Sequence, residues 1–491
     1  MKERRRNTTM DKSALCSHID GMAQRLAAWS DAVWDCPETA FQERRSAEVL
    51  CRALEEEGFA VERGVAGIET AFLGRWGEGK PVIGFLGEFD ALSGLSQQPD
   101  TFAKTPLCEG APGHGCGHNL LGVGSLAAAS AVKAYLAENH LSGTVVYYGC
   151  PGEEGGSGKA FMARDGVFDE LDCALTWHPG DTNAANSASS LANYQICYRY
   201  YGVSAHAAAC PHLGRSALDA VELMNIGVQF LREHIIPEAR IHYAITNTGG
   251  YSPNVVQPYS EVLYLIRAPK TGQVQEIYER VGDIAKGAAL MTGTRLETQF
   301  IKACSNLVPN TLLTEKLDDN LREIPLPSYT EEERAYAAAV QQSFESKSDT
   351  LMAMAQAAGA KGIAFAKEHG GRPINDFVVP NFHVEAAMPG STDVGDVSWV
   401  CPTAQISAVT MAAGTPGHSW QLVAQGKSSI AHKGTLYAGK VLAGTAVDLI
   451  HHPEWIEAAK EELCDRLDGG HYIPPIPAGV KPSVIDPSAK R

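Results

Sequence analysis

The stretch KPVIGFLGEFDAL, residues 80–92, decides the fold class of this chain. Its apolar run follows Pro81 and ends in two carboxylates, Glu88 and Asp90, as a buried strand does where it leaves the core. Two further stretches repeat the pattern, SGTVVYYGCPGEEGG at 142–156 and LDCALTWHPGD at 171–181. Because helical segments separate these apolar strands, we expect an α/β domain with a mixed, mostly parallel sheet.

Polar side chains gather where these predicted strands end. They are Glu88, Asp90, Glu153, Glu154 and His178. In open parallel sheets, ligands bind beyond the carboxyl ends of the strands. One such residue alone would be an ordinary surface residue, but the repeated placement predicts a functional site at this edge.

Length and composition limit the class of protein. A chain of 491 residues with 44% hydrophobic residues predicts a globular protein of about two or three domains. The net charge of −16 argues against a nucleic acid or an anionic membrane surface as the main partner. The 12 cysteines show no disulfide-like framework, which favours reduced thiols in the cytoplasm.

No targeting or membrane segment is expected. The basic N-terminus MKERRRNTTM, residues 1–10, leads into no apolar core of a secretory signal. We also expect no apolar run that approaches the about 20 residues of a membrane span.

The pattern changes at about residue 194. Strand-like and helical segments then follow in the order βαββαβ, which is that of the ferredoxin-like unit. We therefore expect a discontinuous catalytic domain, 1–193 and 305–491, with an inserted lid and dimerisation domain at 194–304. Beyond it, about 330–370 is helical and Ala-rich, and 388–406 and 414–426 read as loops followed by strands.

The stretch GHGCGHNLLGVGSLAAA, 113–129, places histidines and a cysteine at the entrance of a buried helix. Two adjacent metal ions need about five to seven donors of mixed hardness. The candidate donors are Cys116, His118, Glu154, His178 and His418. Of the two adjacent glutamates, Glu153 and Glu154, one can bind metal while the other takes a proton from the bound water. The alternatives to a metal site are a glycine-rich turn around Cys116, a solvated acidic turn at Glu153 and Glu154, and an ordinary loop histidine at His418.

Taken together, these motifs resemble the zinc and manganese peptidases related to aminoacylase and glutamate carboxypeptidase. The similarity is to the branch of the auxin-conjugate and p-aminobenzoyl-glutamate hydrolases. The motifs are Cys116-Gly117-His118, Glu153-Glu154, TWHPG around His178, GHSW around His418, and the lid signatures GVSAHAAACPHLGRSALDA (202–220) and TGGYSPNVVQP (248–258). The resemblance covers about residues 15–450 and implies the donor set above, with Glu153 as general base. It also implies two divalent metal ions, Mn²⁺ or alternatively Zn²⁺, since a thiolate donor favours zinc.

The resemblance implies roles for further residues. Asp90 orients a ligand from the outer shell. His206 stabilises the oxyanion in the active site of a partner subunit, and Asn254 binds the substrate's carboxylate or carbonyl. Arg267 either pairs with a substrate carboxylate or is a charge at the end of a surface strand.

The chain departs from the family pattern at several positions. Glu88-Phe89-Asp90 stands where much of the family has His-x-Asp, and Asn119 where an aspartate is common. The stretch STDVGDVS, 391–398, replaces the usual Gly-Ser-Glu-Asp-Phe. No role follows for Glu88, for Asp393 and Asp396, or for His114, which we interpret as a turn residue.

The implied activity is metal-dependent hydrolysis of the amide bond of N-acyl or N-aroyl amino acids. The first candidate substrate is p-aminobenzoyl-glutamate, cleaved to p-aminobenzoate and glutamate. Indole-3-acetyl-aspartate, another N-acyl amino acid or a dipeptide is the alternative. The active unit would be a homodimer or a heterodimer with a related A-type subunit. Two other classes, a small-molecule binding module and a non-catalytic partner subunit, would not need Glu153 beside the metal donors.

Overall fold

The computed structural model describes residues 12–345, 350–384 and 387–484, so the basic N-terminus lies outside the described residues. The strands are β1 (Ala60–Arg63), β2 (Phe72–Glu78), β3 (Val82–Glu88), β4 (Gly143–Cys150), β5 (Cys173–Gly180), β6 (Ala184–Asn186), β7 (Ala192–Tyr201), β8 (Arg240–Asn247), β9 (Tyr259–Ala268), β10 (Arg295–Cys304) and β11 (Thr403–Val409). The helices are α1 (Ser13–Gly21), α2 (Ala23–Trp34), α3 (Arg44–Glu56), α4 (His118–Asn139), α5 (Gly158–Arg164), α6 (Ala217–Leu231), α7 (Thr271–Thr292), α8 (Thr311–Glu323), α9 (Glu331–Gln341), α10 (Thr350–Ala357), α11 (Gly359–His369), α12 (Val394–Val400), α13 (Trp420–Gln425), α14 (Ser429–His451) and α15 (Pro453–Arg466).

The larger sheet has seven strands in the order β1-β2-β4-β3-β5-β11-β6. Its centre, β4, β3, β5 and β11, is parallel, whereas β2 and β6 pair antiparallel with their inner neighbours. Strands β3 and β4 are buried along their whole length, as strands covered on both faces must be. The expected α/β fold with a mixed, mostly parallel sheet is therefore confirmed.

Helix α4 packs on this sheet and starts at the predicted histidine-rich entrance. The close approach of α4 to β5 requires glycine at position 124, since a Cβ there would lie 2.6 Å from the Trp177 ring. The expectation that no apolar run approaches membrane-span length is wrong for this helix. Its 22 residues are long and apolar enough to cross a bilayer, yet 78% of its most apolar window is buried inside the protein. The helix is apolar all round because neighbours cover it all round.

A second sheet has four strands in the order β10-β7-β9-β8, and its neighbouring strands are antiparallel. Helices α6 and α7 follow β7 and β9 and pack against it, so that its elements succeed one another as β-α-β-β-α-β. They run from Ala192 to Cys304, between the two parts of the chain that build the larger sheet.

Two C-terminal segments differ from the expectation. The stretch 388–406 contains the short helix α12 before β11, and 414–426 contains α13 instead of a strand. Both helices are shorter than two full turns and rich in Val and Trp, so their sequence shows no helical period. Ser419 caps α13 by accepting a hydrogen bond from the Leu422 amide at 3.3 Å.

Candidate metal centre

The candidate centre lies at the C-terminal ends of β3, β4 and β5. Register places Glu88 opposite Cys150, and the Glu153-Glu154 turn follows β4 directly. Cys116 and His118 come from the loop that starts α4. Gly117 between them has φ +78°, and a Cβ there would lie 2.9 Å from Pro179 Cβ. Only glycine therefore lets this loop lie against the end of β5.

His418 reaches the same place from the far end of the chain. Its amide donates a hydrogen bond to the Gly115 carbonyl at 3.0 Å, which joins the two loops. Its φ of +52° is in the left-handed region, where a side chain other than glycine is strained. Strain of this kind concentrates at functional sites.

Two groups of possible metal ligands share one residue. Cys116, His118 and His178 form the first group, and Cys116, Glu154 and His418 form the second. Within each group the ligand atoms lie within 4.8 Å of one another. The Cys116 sulfur is 3.4 Å from His178 Nε2, and His418 Nε2 is 3.3 Å from Glu154 Oε1. The structure thus brings all five predicted donors together around one thiol.

Asp90 connects the two groups. One of its oxygens lies 2.9 Å from His118 Nδ1, and the other accepts a hydrogen bond from the Glu154 amide at 3.0 Å. The first contact leaves Nε2 as the nitrogen that His118 can offer to a metal ion. This is the arrangement that the orienting role predicted for Asp90 requires.

Glu153 lies with Glu88 and His118 in a third group, whose ligand atoms are also within 4.8 Å. Burial, followed by the charges of Glu88, Glu154 and Asp393, holds the pKa of Glu153 well above its usual range. Burial also acts to raise the pKa of Glu154, but the imidazoles of His418 and His118 outweigh it and lower that pKa to about 2. The two adjacent glutamates therefore differ in basicity as a base and a ligand must.

The residues present fit metal ions. His118 Nε2 and Glu154 Oε1 are buried atoms that make no hydrogen bond of good geometry among the described residues, although Glu88 Oε2 and His418 Nε2 respectively lie 3.3 Å away. Buried polar atoms are almost always satisfied, so two unsatisfied ones facing a thiol and two further imidazoles indicate missing ligation. Burial and the neighbouring His118 lower the pKa of His178, which keeps its imidazole in the neutral form that binds metals.

A buried lysine that sequence reasoning missed stands behind the centre. Lys159 Nζ lies 2.7 Å from Glu88 Oε1 and 2.5 Å from Asp393 Oδ1. The Lys159 amide also donates to Asp393 Oδ2 at 2.9 Å. Although burial favours the neutral amine, the two carboxylates hold the pKa of Lys159 above its usual range. Lys159 follows the Glu-Glu pair in GEEGGSGKAF, and this position was the only sequence signal for it.

Two residues without a predicted role have structural contacts. Asp396 accepts hydrogen bonds from the Ser305 amide and hydroxyl and from the Tyr472 hydroxyl. His114 is more than a turn residue, because it is 1% exposed and its Nε2 lies 3.0 Å from the Val33 carbonyl. Burial lowers the pKa of His114 to about 3, so the ring is neutral.

His206 and Asn254 lie together on the four-stranded sheet's loops, both exposed. The Ala207 amide donates to the Asn254 carbonyl at 2.9 Å. His206 precedes α6 in a loop, not at the helix entrance, and its Nδ1 accepts from the amides of Ala208 and Ala209. The neutral ring consequently carries its proton on Nε2, which can donate a hydrogen bond.

Arg267 lies elsewhere, at the junction of the two sheets. Its Nη1 donates to Ser391 Oγ at 3.1 Å, and Arg267 lines a cleft with Arg240 and His242. It is half-buried there, next to the last residue of β9.

An α/β fold with two groups of possible metal ligands beside a further buried carboxyl group is the arrangement of a metal-dependent hydrolase of amide bonds. The chain belongs to peptidase family M20/M25/M40, which it matches over residues 84–459.

Individual relatives match nearly the full chain. It is 50% identical to the B-type subunit of p-aminobenzoyl-glutamate hydrolase from Escherichia coli K12, over 95% of this chain and 98% of that protein. It is 30% identical to the Xaa-Arg dipeptidase of Mus musculus, over 93% of both chains. Among solved structures, an aminobenzoyl-glutamate utilization protein from Klebsiella pneumoniae shares the fold with a TM-score of 0.54 and 17% identity. That likeness covers 88% of this chain and 98% of the other.

Proposed function

We propose that this protein hydrolyses the amide bond of p-aminobenzoyl-glutamate, releasing p-aminobenzoate and glutamate. The observation that supports this most is the 50% identity, over nearly the whole chain, to a component of the hydrolase of that name. The five converging donors and Glu153 argue against a non-catalytic partner or a binding module, neither of which needs a base beside a metal site. A dipeptide is the second candidate substrate, because a dipeptidase is 30% identical over 93% of this chain.

Two divalent ions would be held by the two ligand groups, with the Cys116 thiolate shared between them. When bound, such ions polarise the substrate carbonyl and make water more acidic. Mn²⁺ is our first candidate, by resemblance, and Zn²⁺ is the alternative, because thiolate and imidazole donors suit it. Burial raises the pKa of the Cys116 thiol, so this ligand has to lose its proton as the metal binds.

Glu153 is the general base in this proposal. Its carboxylate takes a proton from the attacking water and returns it to the leaving amine nitrogen. Burial and the neighbouring carboxylates raise its pKa, which makes its carboxylate a stronger base than an exposed one. Asp90 keeps His118 and the backbone of Glu154 in position.

We assign the second sheet with α6 and α7 to a ferredoxin-like lid, spanning 194–304, on the discontinuous catalytic domain of 1–193 and 305–491. His206 Nε2 would donate to the carbonyl oxygen of the substrate in a partner's site, and Asn254 would bind the substrate beside it. Strand β8 supports a dimer, because it is a sheet edge with Tyr243 43% and Ile245 39% exposed. The partner is a second copy or an A-type subunit, since the A-type subunit of the Escherichia coli hydrolase is 28% identical over 51% of this chain.

Arg267 is proposed to bind a substrate carboxylate once the lid closes, since it lies in a basic cleft with Arg240. We also propose a cytoplasmic location. The cysteines of the described residues are not paired in disulfides, which favours a reducing compartment.

A substrate panel tests the proposal. Chelator-treated protein is reloaded with Mn²⁺ or Zn²⁺, alone or mixed with an A-type subunit, and release of the amino acid is measured. We expect p-aminobenzoyl-glutamate to have the highest kcat/KM, above indole-3-acetyl-aspartate and Xaa-Arg dipeptides. No turnover of any of these amides in any preparation would overturn the proposal.

A further inference from the structure

A cavity of about 280 Å³ opens beside the candidate metal centre. It starts at His178, whose Nε2 is 3.4 Å from the Cys116 sulfur. Its walls come from the end of β5, strand β11, the edge strand β6, helix α10, residues 380–384 and Met388. The Ala-rich helical region of the sequence thus builds one wall, a part that the proposed chemistry leaves without a role.

The cavity walls are mainly apolar. Their larger apolar side chains are Met354, Phe382, Val384, Met388 and Ile406. The Thr182 hydroxyl donates to the Met354 sulfur at 3.9 Å, which holds α10 against the end of β5. An apolar group that leaves water for this cavity gains free energy roughly in proportion to its buried surface.

The charges in the walls exclude an anionic occupant. Among the lining residues that the structure describes, the one carboxylate is Asp181, and none is Lys or Arg. The Asp181 side chain accepts a hydrogen bond from the Gly414 amide at 2.8 Å. The carboxylates of a glutamate would find no cationic partner here and would be repelled, because burying an unpaired charge is costly.

We propose that this cavity is the subsite for the acyl group of the substrate, and that it accepts a single aromatic ring. This inference rests on the proposed function, whose substrate has an uncharged aromatic acyl group on one side of the scissile bond and a dianionic amino acid on the other. The volume is close to the about 300 Å³ at which pockets start to hold drug-sized ligands, so one ring fits. The acidic amino acid then has to lie outside this cavity.

The polar lining supports a ring with a polar substituent. Asn186 and Gln405 are register partners on β6 and β11, and both line the cavity. Their amide groups offer donors and acceptors to a substituent such as an amine. An unsubstituted benzoyl group would fill the same space without this interaction.

The first experiment narrows the cavity. Met354→Trp places a larger ring in the wall, and kcat/KM is measured for N-acetyl-, N-benzoyl- and N-(p-aminobenzoyl)-glutamate. We expect the two aromatic substrates to lose about 10–200-fold, the range over which a hydrophobic pocket discriminates by size. N-acetyl-glutamate should change by less than threefold, which is about the noise of such comparisons. Met291→Trp makes the same exchange on an exposed helix face and should resemble the wild type. Met354→Leu nearly keeps the side-chain volume, so it should preserve the ratio of kcat/KM between the aromatic substrates and N-acetyl-glutamate.

A binding measurement separates this inference from the proposed function. 4-Aminobenzamide, an uncharged aryl amide without the amino acid, is titrated into the metal-replete wild type and the Met354→Trp variant. We expect saturable binding that the Met354→Trp variant weakens at least about tenfold. If the wild type cleaves none of the substrates but binds 4-aminobenzamide, and Met354→Trp weakens that binding as expected, the proposed function fails and the subsite stands. Equal losses on acetyl and aromatic substrates, or probe binding unchanged by Met354→Trp, would overturn the subsite.

Discussion

Replacing Lys159 by methionine is expected to destabilise the protein strongly. The Lys159 ammonium contacts Glu88 and Asp393, and the side chains of these three residues are 0%, 3% and 0% exposed. Methionine is close to lysine in length, so the space stays filled and only the charge and its hydrogen bonds are lost. Two buried carboxylates then remain without the ammonium that lies between them, and Asp393 loses its only ion pair recorded among the described residues.

The size of the stability loss follows from the proton that one of the two buried carboxyl groups must take up in the variant. A carboxyl with an ordinary pKa of about 4 that is held protonated at pH 7 costs about 3 pKa units, or about 4 kcal/mol. This agrees with the about 3–5 kcal/mol lost when one partner of a buried ion pair is removed. At about 2 °C per kcal/mol, the unfolding midpoint should fall by about 8 °C.

The pH dependence gives the sharper signature. A carboxyl whose folded pKa is raised above its unfolded value costs stability only above the unfolded pKa. The loss in the Lys159→Met variant should therefore shrink to about 1.5 kcal/mol at pH 5. Adding Asp393→Asn to the variant removes one of the two acids and should recover part of the loss.

Thermal unfolding of chelator-treated protein at pH 7 and pH 5 measures the stability loss of the Lys159→Met variant without a contribution from metal binding. Lys286→Met is the matched control, since Lys286 and Asp283 form an exposed ion pair on α7. It should leave the midpoint unchanged, because exposed pairs contribute little. A Lys159→Met variant as stable as the wild type at pH 7, or a loss independent of pH, would refute the reasoning.

Three further predictions concern the centre, the lid and acid stability. Cys116→Ala should lower metal content at both sites, whereas His418→Ala should spare one ion, because Cys116 alone belongs to both ligand groups. Mixing inactive His206→Ala and Glu153→Gln proteins under conditions that let the chains exchange partners should restore activity, because one site then has both residues. Hydrogen bonds from lysines outweigh burial and lower the pKa of Asp172, so the stability that this carboxylate contributes is lost as the pH falls below about 4. The Asp172→Asn variant should therefore lose less stability than the wild type over that acid range.

Each of these has a distinct contrary result. Equal metal content by elemental analysis in the Cys116→Ala and His418→Ala variants would contradict the role of Cys116 as a ligand shared by both ions. Confirmed exchange without recovered activity would place His206 in its own chain's site or outside catalysis. Parallel acid-unfolding curves for wild type and Asp172→Asn would exclude Asp172 as a source of the acid sensitivity.

The catalytic sheet could be predicted from sequence because its central strands are continuous apolar runs that end in polar residues. Strand β1 could not, since AVER is only four residues and has none of that pattern. The helices α12 and α13 were mistaken for loop and strand because short apolar segments carry no period of their own. The apolar length of α4 was underestimated because the small residues Gly, Ala and Ser interrupt the larger apolar ones.

The candidate donors were predicted from their residue types, from their positions at strand ends and in loops, and from the family resemblance. The Lys159 pair with Asp393 was not, since the two residues are 234 positions apart and lysine is seldom fully buried. The role of Arg267 could not be settled by sequence either, because its contact with Ser391 depends on how the two sheets meet.

The most direct test of the central claim compares wild type with Glu153→Gln at equal metal content. Glutamate release from p-aminobenzoyl-glutamate is followed for both proteins after loading with Mn²⁺. The account predicts two ions per chain in each protein, and turnover that falls by about 10²–10⁴-fold in the variant. Equal rates in the two proteins, or no glutamate release by the metal-loaded wild type, would contradict it.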